Sequence, residues 1–231
     1  AMKENLMIQF VYPDYELPGE YKDVINTIDH SDIVSCRCED KALRQKADVV
    51  VINDWTDLEY LQYASETAYV LRTTKSGLFD NYVLIKPMLS LVKRLNVVVT
   101  DVDEFAEEDF ARYQNVLYSL SEEVERLYAN GQSPQLNLLT DRMVLGKMNN
   151  CNAGWENITL APDGKFYVCP AFYHSPKIDG TETSIGEQCE KGFSIGDLQS
   201  GLDIKNPQLY RLDHAMLCSH CDAYQCKRCV W

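Results

Sequence analysis

In its first 150 residues the chain alternates between two hydrophobic rhythms. Short β-branched runs recur at LMIQFVY (6–12), DIVSCR (32–37), DVVVIND (48–54), AYVLRT (68–73), LNVVVTD (95–101) and QLNLLTD (135–141). Most are nearly continuous in apolar residues, which predicts strands buried on both faces of a parallel sheet. Helical patterns lie between them: EYKDVINTIDH, a weaker LEYLQYASE, and YVLIKPMLSLVKR, which Pro87 interrupts. The strongest helix is predicted over 104–130, where Phe110, Tyr113, Leu117, Leu120, Val124 and Leu127 fall on one face. Asp103 is placed to cap its start and Gly131 to end it. Alternating strands and helices predict an α/β fold, wound by right-handed crossovers into an open parallel sheet or a partial, degenerate barrel.

The rhythm stops near residue 147, and cysteine, glycine and turn signals take over. Two domains follow: an α/β domain over 1–146 and a cysteine-rich domain over 147–231. In the second, NITLAPDGKFYVC predicts a hairpin turning at Pro162-Asp163-Gly164. ETSIGEQCEKG reads as an exposed loop and LYRLDHAML as a short helix.

Charge narrows the choice of partners. The net charge is −13, with 25 acidic against 15 basic residues in the first 150. Such a surface repels a polyanion, which argues against nucleic acid. A cationic peptide is the minority reading of that acidity, a solvated surface the majority one. There is no apolar run of membrane-spanning length and no secretory-signal layout at the start, so a cytoplasmic protein without membrane contact is expected.

Nine cysteines then change the picture. Without an export signal, thiols in quantity point to metal binding rather than disulfides. Four fall within twelve residues, in CSHCDAYQCKRC (218–229), as two Cys-x-x-Cys pairs. Such a turn lets two thiolates converge on a soft centre, zinc or an iron–sulfur cluster. Only four residues separate Cys221 from Cys226, against about 15–20 in common four-cysteine zinc sites, so one ion held by all four would need a very tight loop. Cys151 and Cys169 flank the predicted hairpin, whose return brings residue 169 back near 157–158. Gly154 lets the preceding segment bend so that Cys151 approaches Cys169. Two neighbouring sites with interleaved ligands are therefore expected.

These spacings carry a resemblance. Cys151-x12-Gly164-x4-Cys169, then FSIGDL, then the terminal cysteines, is similar to the SPASM domain of radical S-adenosylmethionine peptide-modifying proteins. The wording NNCNAGWENITLAPDGKFYVCPAFYH and CDAYQCKRCVW most resembles the CXXX-repeat peptide maturases. The resemblance implies one or two [4Fe–4S] clusters, the first on Cys151, Cys169 and Cys229 and the second on Cys218, Cys221 and Cys226. It also implies a role in maturing a small cysteine-rich precursor peptide, with a partner radical enzyme or reductase. The match departs from the family in three ways. The last two cysteine spacers are each one residue short. The final cysteine of the second site has no counterpart before Trp231, and none lies just upstream of Cys151. Six thiolates do not fill two clusters, which leaves an incomplete site, a missing segment or a different metal, with structural zinc in a non-catalytic peptide-binding or scaffold protein as the alternative.

The Cys-x3-Cys-x2-Cys of radical formation is absent. PDYELPGEYKD follows the first strand instead, so no radical site of its own is expected in this chain. Cys36 and Cys38 read as buried thiols on opposite faces of a strand. His174, His214 and His220 are minor candidate ligands, and Cys189 a spare thiol. No phosphate loop, HExxH or nucleophile elbow appears.

Overall fold

A computed structural model describes residues 7–59, 61–142, 151–174 and 193–221 of the 231. The chain divides into two compact units, Ala1–Val144 and Leu145–Trp231.

The first unit is an open sheet of six parallel strands in sequence order: β1 (Ile8–Val11), β2 (His30–Ser35), β3 (Val49–Ile52), β4 (Ala68–Thr73), β5 (Arg94–Val99) and β6 (Gln135–Leu136). All six apolar runs became strands. Their order has no reversal, so no topological switch point divides the sheet. No strand pairing closes it into a barrel among the described residues.

Burial alternates along the strands rather than covering both faces. Val34, Val50, Tyr69, Leu95 and Leu136 stand in register across five strands and are all buried. The opposite face, with Val51, Val70, Arg72 and Val98, is half-buried or exposed. The expectation of strands buried on both faces is thus corrected. The helices Lys75–Asn81, Ile85–Leu89 and Glu107–Ala129 deliver apolar side chains to a single core, and the buried strand residues of that core all lie on one face. A valine on the other face satisfies the same sequence pattern without full burial.

Among the described residues five α-helices belong to this unit: α1 (Gly19–Ile25), α2 (Lys41–Lys46), α3 (Lys75–Asn81), α4 (Ile85–Leu89) and α5 (Glu107–Ala129). In α5 the buried stripe is Val116, Leu120, Val124 and Leu127, while Phe110 is exposed. Asp103 does not cap it. The helix starts later, where Asp109 accepts from the Ala106 N–H, and Asp103 sits in a 3₁₀ turn, Val102–Glu104. Gly131 follows the helix end at φ +80°, as its position predicted. Among the described residues of LEYLQYASE there is no helix beyond the 3₁₀ turn Trp55–Glu59, and Tyr63 packs on Tyr69. Pro87 lies inside α4, in the first turn, where its missing N–H costs nothing.

The two edges of the sheet differ. At β6 the Thr140 hydroxyl accepts from the Leu136 N–H (2.8 Å) and donates to the Leu136 carbonyl (3.1 Å), occupying both outward groups. At β1, among the described residues, no strand or side chain occupies the outer side.

The second unit holds an antiparallel sheet in the order β10-β9-β8-β7, from β7 (Thr159–Leu160), β8 (Lys165–Tyr167), β9 (Ser194–Asp197) and β10 (Gly201–Leu202). The short helix α6 (Pro170–His174) follows β8. The predicted hairpin is β7–β8, with Thr159 opposite Tyr167 and Gly164 at φ +76°. LYRLDHAML is not an α-helix but two 3₁₀ turns, Pro207–Tyr210 and Leu212–His214. The loop ETSIGEQCEKG lies outside the described residues. No described helix is long and apolar enough to cross a membrane.

Candidate metal centre

The thiols of the second unit are positioned by three local structures. The first is a tight turn after Cys151. Asn152 takes φ +48° and its carbonyl accepts from Trp155 N–H (3.0 Å) and Glu156 N–H (2.9 Å), while the Cys151 carbonyl accepts from the Asn157 side-chain amide. Gly154, at φ +87°, then passes so close to the residue after β8 that an added Cβ would lie 3.0 Å from Val168 Cγ1 and 2.9 Å from the Tyr210 ring. Only glycine suits both the backbone angle and the space. This contact draws the segment bearing Cys151 against the residue preceding Cys169.

The second structure is the hairpin itself. Asp163 in the turn accepts from the Lys165 N–H (3.1 Å) and the Tyr167 hydroxyl (2.7 Å). Burial, reinforced by the Asp163 carboxylate, pushes the Tyr167 phenol up to about 12, so it stays a donor. Tyr167 is 8% exposed and meets the Tyr173 ring edge-on at 5.7 Å. Cys169, half-buried, leads into α6, its carbonyl accepting from Phe172 N–H.

The third is the first terminal knuckle. Cys218–His220 is a 3₁₀ turn closed by Cys221 N–H donating to the Cys218 carbonyl at 3.1 Å. The two cysteines therefore stand at the two ends of one turn, Cys218 half-buried and Cys221 exposed. His220 lies inside the turn and is exposed, and His214 Nδ1 faces Asp213 at 3.2 Å. His174 ends α6.

Cys226 and Cys229, like Cys189, lie outside the described residues. Each expected ligand set, Cys151–Cys169–Cys229 and Cys218–Cys221–Cys226, thus has two of its three members described. Among the described residues, no three Cys, His, Asp or Glu side chains gather closely enough to hold a metal ion. In donor type and exposure, the described thiols suit a soft metal: they are sulfur donors, exposed or half-buried.

The first unit carries a second polar cluster that sequence reasoning missed, at the carboxyl ends of the strands, where parallel α/β folds place their chemistry. Cys36 and Cys38 are not on opposite faces of a strand. β2 ends at Ser35, and both cysteines lie in the turn beyond it, 7% and 1% exposed. The Cys36 thiol donates to Asp57 Oδ2 (3.3 Å), and Arg37 Nε binds both oxygens of that carboxylate at 2.9 and 3.2 Å. Burial first, then Asp57, pushes the Cys36 thiol up to about 11, the opposite of an activated nucleophile. Arg44 clamps the Cys36 and Cys38 carbonyls at 2.9 and 3.1 Å. Lys75 ties the β4 and β5 loops together: its backbone N–H donates to Asp101 (2.7 Å), and its ammonium to Asp109 (2.8 Å) and the Glu104 carbonyl. The only sequence signal was that CRC sits at the carboxyl end of an apolar run. Compared with known proteins, the chain matches no family model and no curated protein.

Proposed function

We propose that this chain is an iron–sulfur protein of SPASM type that takes part in maturing a ribosomally made, cysteine-rich peptide without generating a radical of its own. Cys151, Cys169 and Cys229 would hold one cluster, and Cys218, Cys221 and Cys226 the other. When bound, a cluster supplies one-electron transfer or a site for a substrate thiol. The chain's own residues set its surroundings: Asn152 and Gly154 shape the turn that lays the segment bearing Cys151 against Val168, the Asp163–Tyr167 bond fixes the hairpin, and the 218–221 turn spaces two thiols. The reading is supported above all by the Gly154 contact with Val168, which draws together the segments of two thiols 18 positions apart in sequence. The sequential parallel sheet of the first unit agrees with a partial-barrel ancestry.

The alternative, a zinc-stapled scaffold, draws on the same thiols, because a small loop-rich unit gains stability from any metal that closes it. Anaerobic preparation of the full chain, with iron, acid-labile sulfide and zinc measured together, separates the two. Matched iron and sulfide with visible absorbance, both lowered by Cys151→Ala and Cys218→Ala, is the expected result. A colourless protein with stoichiometric zinc overturns the cluster and supports the scaffold; a protein with neither overturns both.

A further inference from the structure

The sheet of the first unit treats its two edges unequally. An unpaired strand edge presents a row of donors and acceptors that invites another strand, and proteins blunt such edges with short strands, charge or proline. β6 is blunted in all these senses but charge: it is two residues long, follows Pro134, and its outward groups are taken by Thr140. β1 is twice as long and reads Ile-Gln-Phe-Val, with neither charge nor proline. Tyr12 N–H bonds the Ile33 carbonyl of β2 at 3.0 Å, so by alternation Gln9 and Val11 point their N–H and C=O groups outward. Both residues are exposed.

The surroundings of this edge indicate what it takes. The β1–α1 stretch leaves Met7, Val11, Tyr15, Tyr21 and Val24 exposed, and α1 buries no residue. Its charge is acidic: Asp14, Glu16, Glu20 and Asp23 against Lys22, whose ammonium is already engaged by Glu16 (2.9 Å) and Asp40 (2.6 Å). A second copy pairing edge to edge would set this acidic stretch against itself. A basic segment would meet it with complementary charge.

We infer that the outer edge of β1 accepts an extended, basic peptide as a seventh strand of the sheet. Main-chain bonds to Gln9 and Val11 supply the pairing, and the exposed valine and tyrosines supply contact for alternate side chains. That the occupant is a peptide rests on the function proposed above; the open edge does not.

The test uses the full chain and three synthetic probes: an alternating lysine–valine peptide, the same peptide N-methylated at every second amide, and its glutamate–valine counterpart. Binding is followed by calorimetry, with iron content measured on the same preparation. The lysine–valine peptide is expected to bind at least tenfold more tightly than either control. Val11→Pro removes an outward N–H while leaving the β2 side intact, a place where an edge strand tolerates proline. It should weaken binding tenfold or more with an unchanged melting temperature. The double variant Glu20→Lys/Asp23→Lys, which touches no backbone bond, should also weaken it tenfold and flatten its salt dependence. The inference is overturned by absent binding, by equal binding of the N-methylated or acidic peptide, by affinity unmoved in either variant, or by a dimer that Val11→Pro dissolves. Iron without peptide binding sinks this inference alone. Peptide binding without iron sinks the cluster and leaves the edge standing.

Discussion

The side chain of Asn137 replaces a strand residue opposite Val97. Its amide nitrogen donates to the Val97 carbonyl at 2.9 Å, and its oxygen accepts from the Val97 N–H at 2.8 Å. β6 stops at Leu136, yet the ladder runs one step further because a carboxamide copies a peptide group. Val97 is 2% exposed, so water is a poor substitute. Asn137→Ala is expected to destabilise the first unit by about 1–3 kcal/mol, the cost of leaving buried backbone groups unpaired. Urea unfolding of wild type and variant measures it; a loss within a few tenths of a kcal/mol contradicts the account.

Lys75 and Asp109 give the first unit an acid-sensitive clasp. The Lys75 hydrogen bond, with that of the Ala106 N–H, holds the Asp109 carboxyl below its ordinary range. A carboxyl depressed in the folded state stabilises above its unfolded value, about 4, and that contribution is lost as pH falls through the folded value. Asp109→Asn should therefore flatten the stability–pH curve on its acid limb, below about pH 4, and leave its shape near neutrality unchanged. Denaturant midpoints across that limb check this, and parallel curves for the two proteins would refute it.

Cys36 should resist alkylation in the folded protein. A thiol at about 11 rather than 9.0 holds about a hundredfold less thiolate at pH 8. Iodoacetamide labelling read by peptide mass spectrometry is expected to spare Cys36 natively and reach it in urea. Asp57→Asn removes the negative charge that favours the protonated thiol, so labelling should speed up severalfold. An unchanged rate would mean that access, not ionisation, protects the sulfur.

Gly154→Ala tests the joint that supports the proposed cluster. The left-handed backbone alone costs an alanine about 1–2 kcal/mol, and the new methyl meets Val168 and Tyr210. Lower stability of the second unit and lower iron content should appear together. Full iron retention in a destabilised variant would show that the turn stiffens the fold without placing Cys151.

The parts of the fold set by local pattern were legible, and the parts set by neighbours were not. β-branched runs gave six strands at their observed places, and Pro-Asp-Gly gave the hairpin. Alternation of burial was hidden, because Val50 and Val51 look alike in sequence while only the first meets the helices. The helix α3 was missed: KSGLFDN has glycine and asparagine in place of helix formers, and it is held by the Thr74 cap and by Leu78 and Phe79 in the core. In α5, steps of three and four could not choose between Val116 and Leu117; packing against α3 and α4 decided it. The cysteines of the proposed metal centre stand out by their spacing, whereas the Cys36–Asp57 bond joins residues 21 apart and leaves no periodic trace.

The unreversed order of the six strands bears on how the polypeptide assembles. Each strand after the first lays itself beside one already synthesised, so a ribosome-bound chain can complete its pairing without waiting for distant segments. The same arrangement confines an inserted or deleted strand–helix repeat to its immediate neighbours, and makes the sheet a ribbon that evolution can lengthen or shorten one unit at a time.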